Sequence, residues 1–459
     1  MIPTSESFPL QAALAFGAGP GEAFFANGPE RGGYDAARFL WTPGRNAAGV
    51  VNQRSYDLVP VGPWVEVAQT AFVRSVQPLL SAALPGYNDP GASDLADVLD
   101  NYSGFAHDAA GGRVFAHGGG HQGSANNGLY RLDLNRMRWA IARLPDMQTH
   151  WPADYRRNPP RGNSFTVYTR AQDYCRANPT TTAAFYDMFY DPVEPRADTR
   201  NPTARHTYAA MTFADGVLRH GVRQYWEWHE ARDAWSRRFP FGKNCTTHAQ
   251  AGGGVTGEAV KGTWDEVNRR YICGPFWNGM PGGFWGYNAA GDSWQWMANL
   301  PHGWDAYKAT ACRMGRDWCL FIRPTRDRME NWPARLILWN LDSQRSQVIS
   351  LHGIRKEKCI HSKRYDESTI MEYVPEIDRI LLLMPYDLAG GLPDDAALPL
   401  VPFLVDPRTG TVEAEAQQGA FPALNARSLV MNKFFHSQRL GALVMVPTAG
   451  SNVLIRKFA

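Results

Sequence analysis

Two histidines and three glycines mark the first stretch of the sequence that could do chemistry. In "GRVFAHGGGHQGSANNGLYRLDLNRMRW", residues 112–139, His117 and His121 flank the triplet Gly118–Gly120. Imidazole binds transition metals, so a metal site is one interpretation, and a structural repeat is the other. The six cysteines form no C-x-x-C pair and have no zinc-type spacing. We therefore predict no metal and no other cofactor.

The segment "ARHTY" is the second chemical candidate, since it contains Arg205, His206 and Tyr208. A polysaccharide lyase needs a Tyr or His base to remove the C5 proton of a uronate. It also needs an Arg or His to neutralise the carboxylate. These three residues, together with His121, would supply such groups. The alternative is that they are polar residues satisfied at the ends of strands.

A repeated spacing indicates which elements position these residues. "GLYRLD" ends at Asp133, and Trp139 follows six residues later, a pattern typical of an aromatic-rich β-hairpin. The same spacing separates His229 from Trp235 and Asn288 from Trp294. Weaker copies are Asn340 to Ser346, Asp406 to Val412, and Asp57 to Trp64, the last of which is one residue longer.

A second hairpin precedes the first in each unit. "FAHDAAGGRVFAH", "TWDEVNRRYIC", "EYVPEIDRILLLM" and "FHSQRLGALVMV" share a His or aromatic residue, a polar turn and an apolar run. His107, Trp264, Tyr373 and His436 stand at the corresponding places. Two consecutive hairpins make four antiparallel strands, and a repeat of such units with Gly and aromatic residues is typical of β-propeller blades.

The repeat resembles the kelch family of β-propellers. "RVFAHGGG" followed by "GLYRLDLNRMRW" has an apolar strand, a glycine cluster, and then Tyr and Trp at fixed offsets. "YSGFAHD" and "ARHTYAA" resemble the innermost strands of bacterial galactose-oxidase-like propellers. The resemblance implies the fold and little about activity. The copper site of galactose oxidase needs a Tyr-His pair that this chain lacks, and sialidase Asp boxes are also absent.

We predict an all-β fold, a kelch-like β-propeller with seven four-stranded blades, six being the alternative, in one domain spanning residues 1–459. The last unit, "SNVLIRKFA", ends after its third strand, so an N-terminal strand within residues 1–30 is expected to close the ring. Gly119 is expected to have a positive φ or a second strand against it. His107 and His117 are interpreted as structural.

The connections between strands predict which face of the propeller binds. Loops between second and third strands share a face with the connections between blades, and the large insertions, residues 76–101 and 146–203, fall on that face. The opposite turns, which include Arg136 and Arg232, are short. Long loops on a rigid scaffold commonly carry binding residues. The predicted binding residues on the loop-rich face are His121, Asn126, Tyr155, Trp277, Arg326 and Trp332.

Composition narrows the range of molecules that the protein is expected to bind. A net charge of +3 does not indicate nucleic-acid binding, and no apolar run is long enough to insert into a membrane. The N-terminus lacks a basic residue before Arg31, so we expect no signal peptide and a soluble protein, cytoplasmic or released in an assembly such as a virion or appendage. We predict a non-catalytic recognition or assembly propeller that binds a glycan or a protein. The alternative is an enzyme of polysaccharide-lyase type.

Overall fold

Six sheets form the six blades of a β-propeller: five are four-stranded and antiparallel, and the sixth has six strands, four of which make up its blade. The computed structural model of the protein describes a series of segments of the chain. They are residues 32–84, 92–100, 103–118, 126–145, 201–202, 207, 209–220, 225–238, 261–274, 283–291, 293–299, 309–322, 334–359, 369–392, 398–416, 418–424 and 433–458.

The N-terminal part precedes the first complete blade and contains short strands and helices. Its elements are β1 (Gly33–Asp35), β2 (Leu40–Thr42), α1 (Gln53–Tyr56), β3 (Val65–Val67), α2 (Phe72–Ala83) and α3 (Ala92–Asp100).

Blades 1 to 3 follow in chain order. Blade 1 contains β4 (Phe105–Asp108), β5 (Arg113–Ala116), β6 (Leu129–Asp133) and β7 (Arg138–Arg143). Blade 2 contains β8 (Met211–Ala214), β9 (Val217–His220), β10 (Tyr225–His229) and β11 (Ala234–Arg238). Blade 3 contains β12 (Lys261–Asp265), β13 (Arg270–Gly274), β14 (Gly283–Asn288) and β15 (Ser293–Asn299).

Blades 4 to 6 complete the ring. Blade 4 contains β16 (Ala309–Met314), β17 (Asp317–Ile322), β18 (Arg335–Asn340) and β19 (Ser346–Ser350). After α4 (Lys356–Cys359), blade 5 contains β20 (Ile370–Val374), β21 (Arg379–Pro385), β22 (Leu400–Val405) and β23 (Val412–Ala414). Blade 6 contains β24 (Phe434–Ser437), β25 (Ala442–Met445) and β26 (Leu454–Lys457), with β3 as its outer strand.

The blade count is six, the alternative to the seven expected first. Both hairpin registers are confirmed: Trp139 pairs with Leu132 beyond the Asp133 turn, and His107 pairs with Val114. The copy from Asp57 to Trp64 is not a blade, because α1 ends at Tyr56 and Trp64 forms only an isolated bridge with Gly419. The stretch from Asp57 to Trp64, one residue longer than the other copies, is therefore a connection that resembles a hairpin only in its sequence.

An N-terminal strand closes the ring, as predicted, but it is not the one expected. β3 pairs antiparallel with β26, through Ile455↔Val65 and Leu454↔Glu66, and supplies the fourth strand of blade 6. The expectation that residues 1–30 supply this strand is therefore wrong. β2 adds to β3 in parallel and β1 adds to β2, so this sheet has six strands.

Alternating residues of each strand pack toward opposite neighbours, which places the core between the blades. In blade 4, Trp318 and Trp339 are buried against Phe284 of blade 3, while Phe321 and Leu336 are buried with residues of blade 5. Both faces of a blade are therefore apolar. This explains why the strands read as continuous apolar runs.

The described residues of segment 76–101 include the end of α2 and all of α3. Phe72 of α2 packs edge-on against Trp139 and Tyr130 of blade 1, with ring centroids 4.9 and 5.2 Å apart. At the end of α3, the Leu99 carbonyl accepts a hydrogen bond from the buried Lys433 ammonium group. Burial lowers the pKa of Lys433 to about 8, and nearby Asp100 opposes this effect.

Candidate functional site

The two faces of the propeller differ in the length of their connections. Turns between first and second strands, and between third and fourth strands, contain no more than six residues in any blade. The other face carries the connection 144–210 between blades 1 and 2 and the segment 68–104 before blade 1. We call the two sides the turn face and the loop-rich face.

Most of the predicted site residues lie outside the described residues, and only Asn126 is among those described. Most of the insertion 146–203 and Gly119 also lie outside the described residues, so the φ of Gly119 remains a prediction. The site residues outside the described part are His121, Tyr155, Arg205, His206, Tyr208, Trp277, Arg326 and Trp332.

Asn126 fixes the base of the loop between β5 and β6. Its side chain is 1% exposed, and its carbonyl oxygen accepts hydrogen bonds from the Tyr130 hydroxyl at 2.6 Å and the Gly128 amide at 3.1 Å. Tyr130 is fully buried in blade 1. Asn126 therefore anchors the start of β6, and its predicted binding role stays a prediction.

Below the loop-rich face, two histidines and a tryptophan meet between blades 1 and 2. The rings of His117 and His220 lie 5.6 Å apart, and each lies within 5.7 Å of the Trp235 ring. Both histidines are fully buried. His117 Nδ1 lies 3.1 Å from the Gly128 carbonyl oxygen, which can only accept, so Nδ1 carries the proton. This contact agrees with the structural interpretation of His117.

Sequence reasoning missed His220, although a signal was present. A His-Gly dipeptide stands at the end of both second strands: His117-Gly118 follows β5, and His220, followed by Gly221, is the last residue of β9. Gly118 has a φ of 135°, a backbone conformation that side chains with a Cβ rarely adopt. A comparison of second-strand ends, in addition to the turns, would have placed the two imidazoles in neighbouring blades.

Thr207 locates the segment that carries the lyase candidates. Its hydroxyl is fully buried, donates to the His117 carbonyl at 3.1 Å and accepts from the Gly104 amide at 3.2 Å. Thr207 therefore lies against blade 1, next to the residue that precedes β4. The neighbouring candidates Arg205, His206 and Tyr208 are not described, so their chemistry remains a prediction.

On the turn face, charged side chains join neighbouring blades. Arg113 of blade 1 is paired with Asp108 and with Glu230 of blade 2. Arg316 of blade 4 contacts Asp265 of blade 3 at 2.7 Å. The Arg136 carbonyl accepts from Arg45 of the N-terminal part at 2.9 Å. Much of the charge on this face is therefore already committed to contacts within the protein.

A buried charge pair lies between blades 2 and 3, and sequence reasoning did not identify it. The Arg219 guanidinium lies 3.7 Å from the centre of the Trp264 ring, and it lies 3.8 Å from the Glu227 carboxylate. The Tyr225 hydroxyl donates to the same carboxylate at 3.0 Å. All four side chains are at least nine-tenths buried. They stabilise the blade contact and are inaccessible to a large ligand.

In the described part of the chain, no group of three or more His, Cys, Asp or Glu side chains is arranged to hold a metal ion. Over the same residues, no helix has both the length and the apolar character needed to cross a membrane. Neither the known protein families nor the curated proteins include a match to this sequence. The fold alone thus defines its class, that of six-bladed β-propellers.

Proposed function

We propose that the protein is a non-catalytic recognition or assembly propeller that binds a glycan or protein partner through its loop-rich face. The main support is the difference between the two faces. Every described turn on the turn face is short, whereas the strands joined by residues 144–210 end and begin on the opposite side. Binding residues commonly occur on long loops held by a rigid scaffold.

We further infer that the blades are kelch-type repeats. The support is the hairpin that carries Tyr130 and Trp139, in which Leu132 pairs with Trp139, together with the positive φ of Gly118, two residues beyond the end of the second strand. The same inference includes assembly into a larger particle, such as a virion or appendage.

The face assignment is tested with matched alanine variants. Trp277→Ala, Trp332→Ala, Arg326→Ala and His121→Ala are expected to keep the thermal stability of the parent and to weaken binding at least tenfold. Arg232→Ala, an exposed residue of a turn-face connection, is the control and should bind normally. Binding is measured on immobilised alginate, polygalacturonate, hyaluronate and neutral glycans. Loss of binding in Arg232→Ala alone would reverse the assignment.

The lyase alternative is tested in the same incubations. A lyase would produce an unsaturated uronate, which absorbs ultraviolet light, whereas a binding protein would retain the polysaccharide without such absorbance. Tyr208→Phe and Arg205→Ala should abolish the absorbance increase if this alternative holds. Retention without an increase supports recognition, and turnover by the parent protein overturns it.

A further inference from the structure

Blade 4 contains two cysteines in direct register across its inner hairpin. β16 and β17 are joined by the two-residue turn Gly315–Arg316, and Cys312 pairs with Cys319. Both are free thiols, 6% and 0% exposed, and they interact through a hydrogen bond. The sequence places them seven residues apart, a spacing that identifies no metal motif.

The register and the Cα separation of the two cysteines allow a disulfide, which would draw their Cβ atoms closer together. Hydrogen-bonded and non-hydrogen-bonded pairs alternate along an antiparallel ladder, so counting outward from the two-residue turn makes Cys312–Cys319 a hydrogen-bonded pair. In such a pair the Cα atoms are about 5.5 Å apart. Disulfides span Cα separations of about 4.4–6.8 Å. The two side chains point to the same face of the sheet because they are directly opposite. A disulfide therefore needs no change of register.

The two thiols differ in position. Cys312 is on β16, the innermost strand, which borders the central channel typical of propellers, whereas Cys319 is on the second strand. Cys312 retains a small exposed surface and Cys319 has none. Cys312 is therefore the more accessible of the two thiols to a small oxidant. The neighbouring groups on blade 5 are the Glu372 side chain and the Tyr373 amide, which donates to the Cys312 sulfur.

We propose that Cys312 and Cys319 form a peroxide-responsive pair, with Cys312 as the thiol that is oxidised and Cys319 as the thiol that resolves it. Hydrogen peroxide transfers one oxygen to Cys312, which gives a sulfenic acid and one water. The Cys319 sulfur then attacks the Cys312 sulfur, the S–O bond breaks, and the hydroxyl leaves as a second water after taking up the Cys319 proton. Two electrons pass from the thiol pair to the peroxide.

The surroundings set the rate of this reaction. Burial, the hydrogen bond with Cys319 and the Glu372 carboxyl raise the pKa of Cys312 well above its usual value. Because the thiolate is the reactive form, oxidation is slow at neutral pH and accelerates as the pH rises. Glu372→Gln removes the coulombic cause, which acts only where the Glu372 carboxyl is ionised. Because the pKa of Glu372 is about 8, the variant is expected to accelerate oxidation of Cys312 severalfold above pH 8 and little at neutral pH.

Peptide mapping of the full chain tests the disulfide. Trypsin places Cys312 on residues 309–313 and Cys319 on residues 317–326. After peroxide treatment and alkylation in denaturant, we expect these two peptides to be linked, and reduction should separate them. Cys273, a buried cysteine of blade 3, is the control and should be alkylated as a free thiol. Persistence of both thiols, or linkage of Cys312 to another cysteine, would overturn the proposal.

Trapping with dimedone tests the order of the two steps. Cys319→Ser should accumulate a dimedone adduct on Cys312, because the sulfenic acid lacks its resolving thiol. Cys312→Ser should give at least tenfold less adduct on Cys319. Equal labelling of the two variants would contradict the assigned order. Circular dichroism establishes that each variant is folded, and the linked peptides of the parent protein provide a readout that needs no substitution.

Discussion

Two neighbouring blade junctions use different chemistry. Between blades 3 and 4, Trp318 and Trp339 pack against Phe284, and an ionic network adds contacts at the turn face. Between blades 4 and 5, the core is aliphatic and aromatic, and no ion pair joins their described residues. The apolar centre is thus common to both junctions, whereas ionic contact is an addition at one.

The two junctions also have opposite electrostatic character. Asp265, at the junction of blades 3 and 4, accepts hydrogen bonds from Arg316 and Asn268. Burial alone would raise the pKa of Asp265, but these hydrogen bonds lower it below its usual value. Glu372, beside Cys312 of blade 4, has one backbone partner, the His436 amide at 3.2 Å. Burial raises the pKa of Glu372 to about 8. The first carboxylate is stabilised in its charged form and the second is not.

The largest effect is expected from Leu382→Ala in the apolar junction. Leu382 is fully buried between blades 4 and 5, and its removal leaves a cavity. We expect the free energy of unfolding to fall by about 3–4 kcal/mol, independently of salt. Urea unfolding measures this loss. Leu388→Ala, at a site 58% exposed, is the matched control and should change stability little. A loss as small as in the control would mean that the junction relaxes to fill the cavity.

Asp265→Ala tests the ionic junction and ranks second. The carboxylate has no exposed surface and lies within 3.0 Å of both Arg270 and Arg316. Its removal leaves two guanidinium groups without this partner, at a cost of about 2–3 kcal/mol. Since the folded pKa is depressed, the stability contributed by Asp265 is present above its unfolded pKa and lost as pH falls through the folded pKa. Variant and parent should therefore converge in acid.

A matched carboxylate variant isolates the role of burial. Asp342 contacts the same Arg316 at 2.6 Å, but its side chain is 52% exposed. Asp342→Ala should cost much less than Asp265→Ala in the same urea experiment. Equal losses would show that contact with Arg316, and not burial of Asp265, determines the energy.

Glu372→Gln is expected to stabilise the protein. The pKa of Glu372 is about 8 in the folded protein and 4.5 for an ordinary glutamate, so between these values the unfolded chain releases a proton that the folded chain retains. Stability therefore falls as pH rises across this window. The variant should gain about 2 kcal/mol near pH 8.5, less than the full shift would give because part of the side chain is solvent-exposed. Below pH 4.5 it should gain nothing. Urea unfolding measures the gain, and Glu413→Gln, at an exposed site of blade 5, is the control for the same substitution outside the junction.

The hairpin spacing predicted the blades because turns and strand periods are local properties. Asp133 and Trp139 lie in one hairpin, so their spacing follows directly from backbone geometry. Closure by Val65–Val67 was not predictable in this way, since Val65 meets Ile455 at the far end of the chain. The Asp265–Arg316 contact and the His117–His220 contact also join different blades. Sequence spacing within a blade gives no information about which residues of neighbouring blades meet.

The smallest effect is expected from Arg316→Ala. Its guanidinium contacts Asp265, Glu266 and Asp342, and the side chain is 25% exposed. Solvent and salt screen such a group, so the loss should be under about 1 kcal/mol. Asp265 retains Arg270 in this variant, which is why removal of the arginine costs less than removal of the buried acid.

Salt dependence and a conservative variant complete this last test. In about 1 M salt, where screening acts within about 3 Å, the difference between Arg316→Ala and the parent should shrink, while the loss in Leu382→Ala stays constant. Arg316→Lys should recover only part of the stability, because an ammonium group keeps the charge but cannot replace the planar fork that reaches three carboxylates. If Arg316→Ala loses the same stability at every salt concentration, Arg316 acts through packing of its aliphatic stem, and the two junctions are then alike in their energetics.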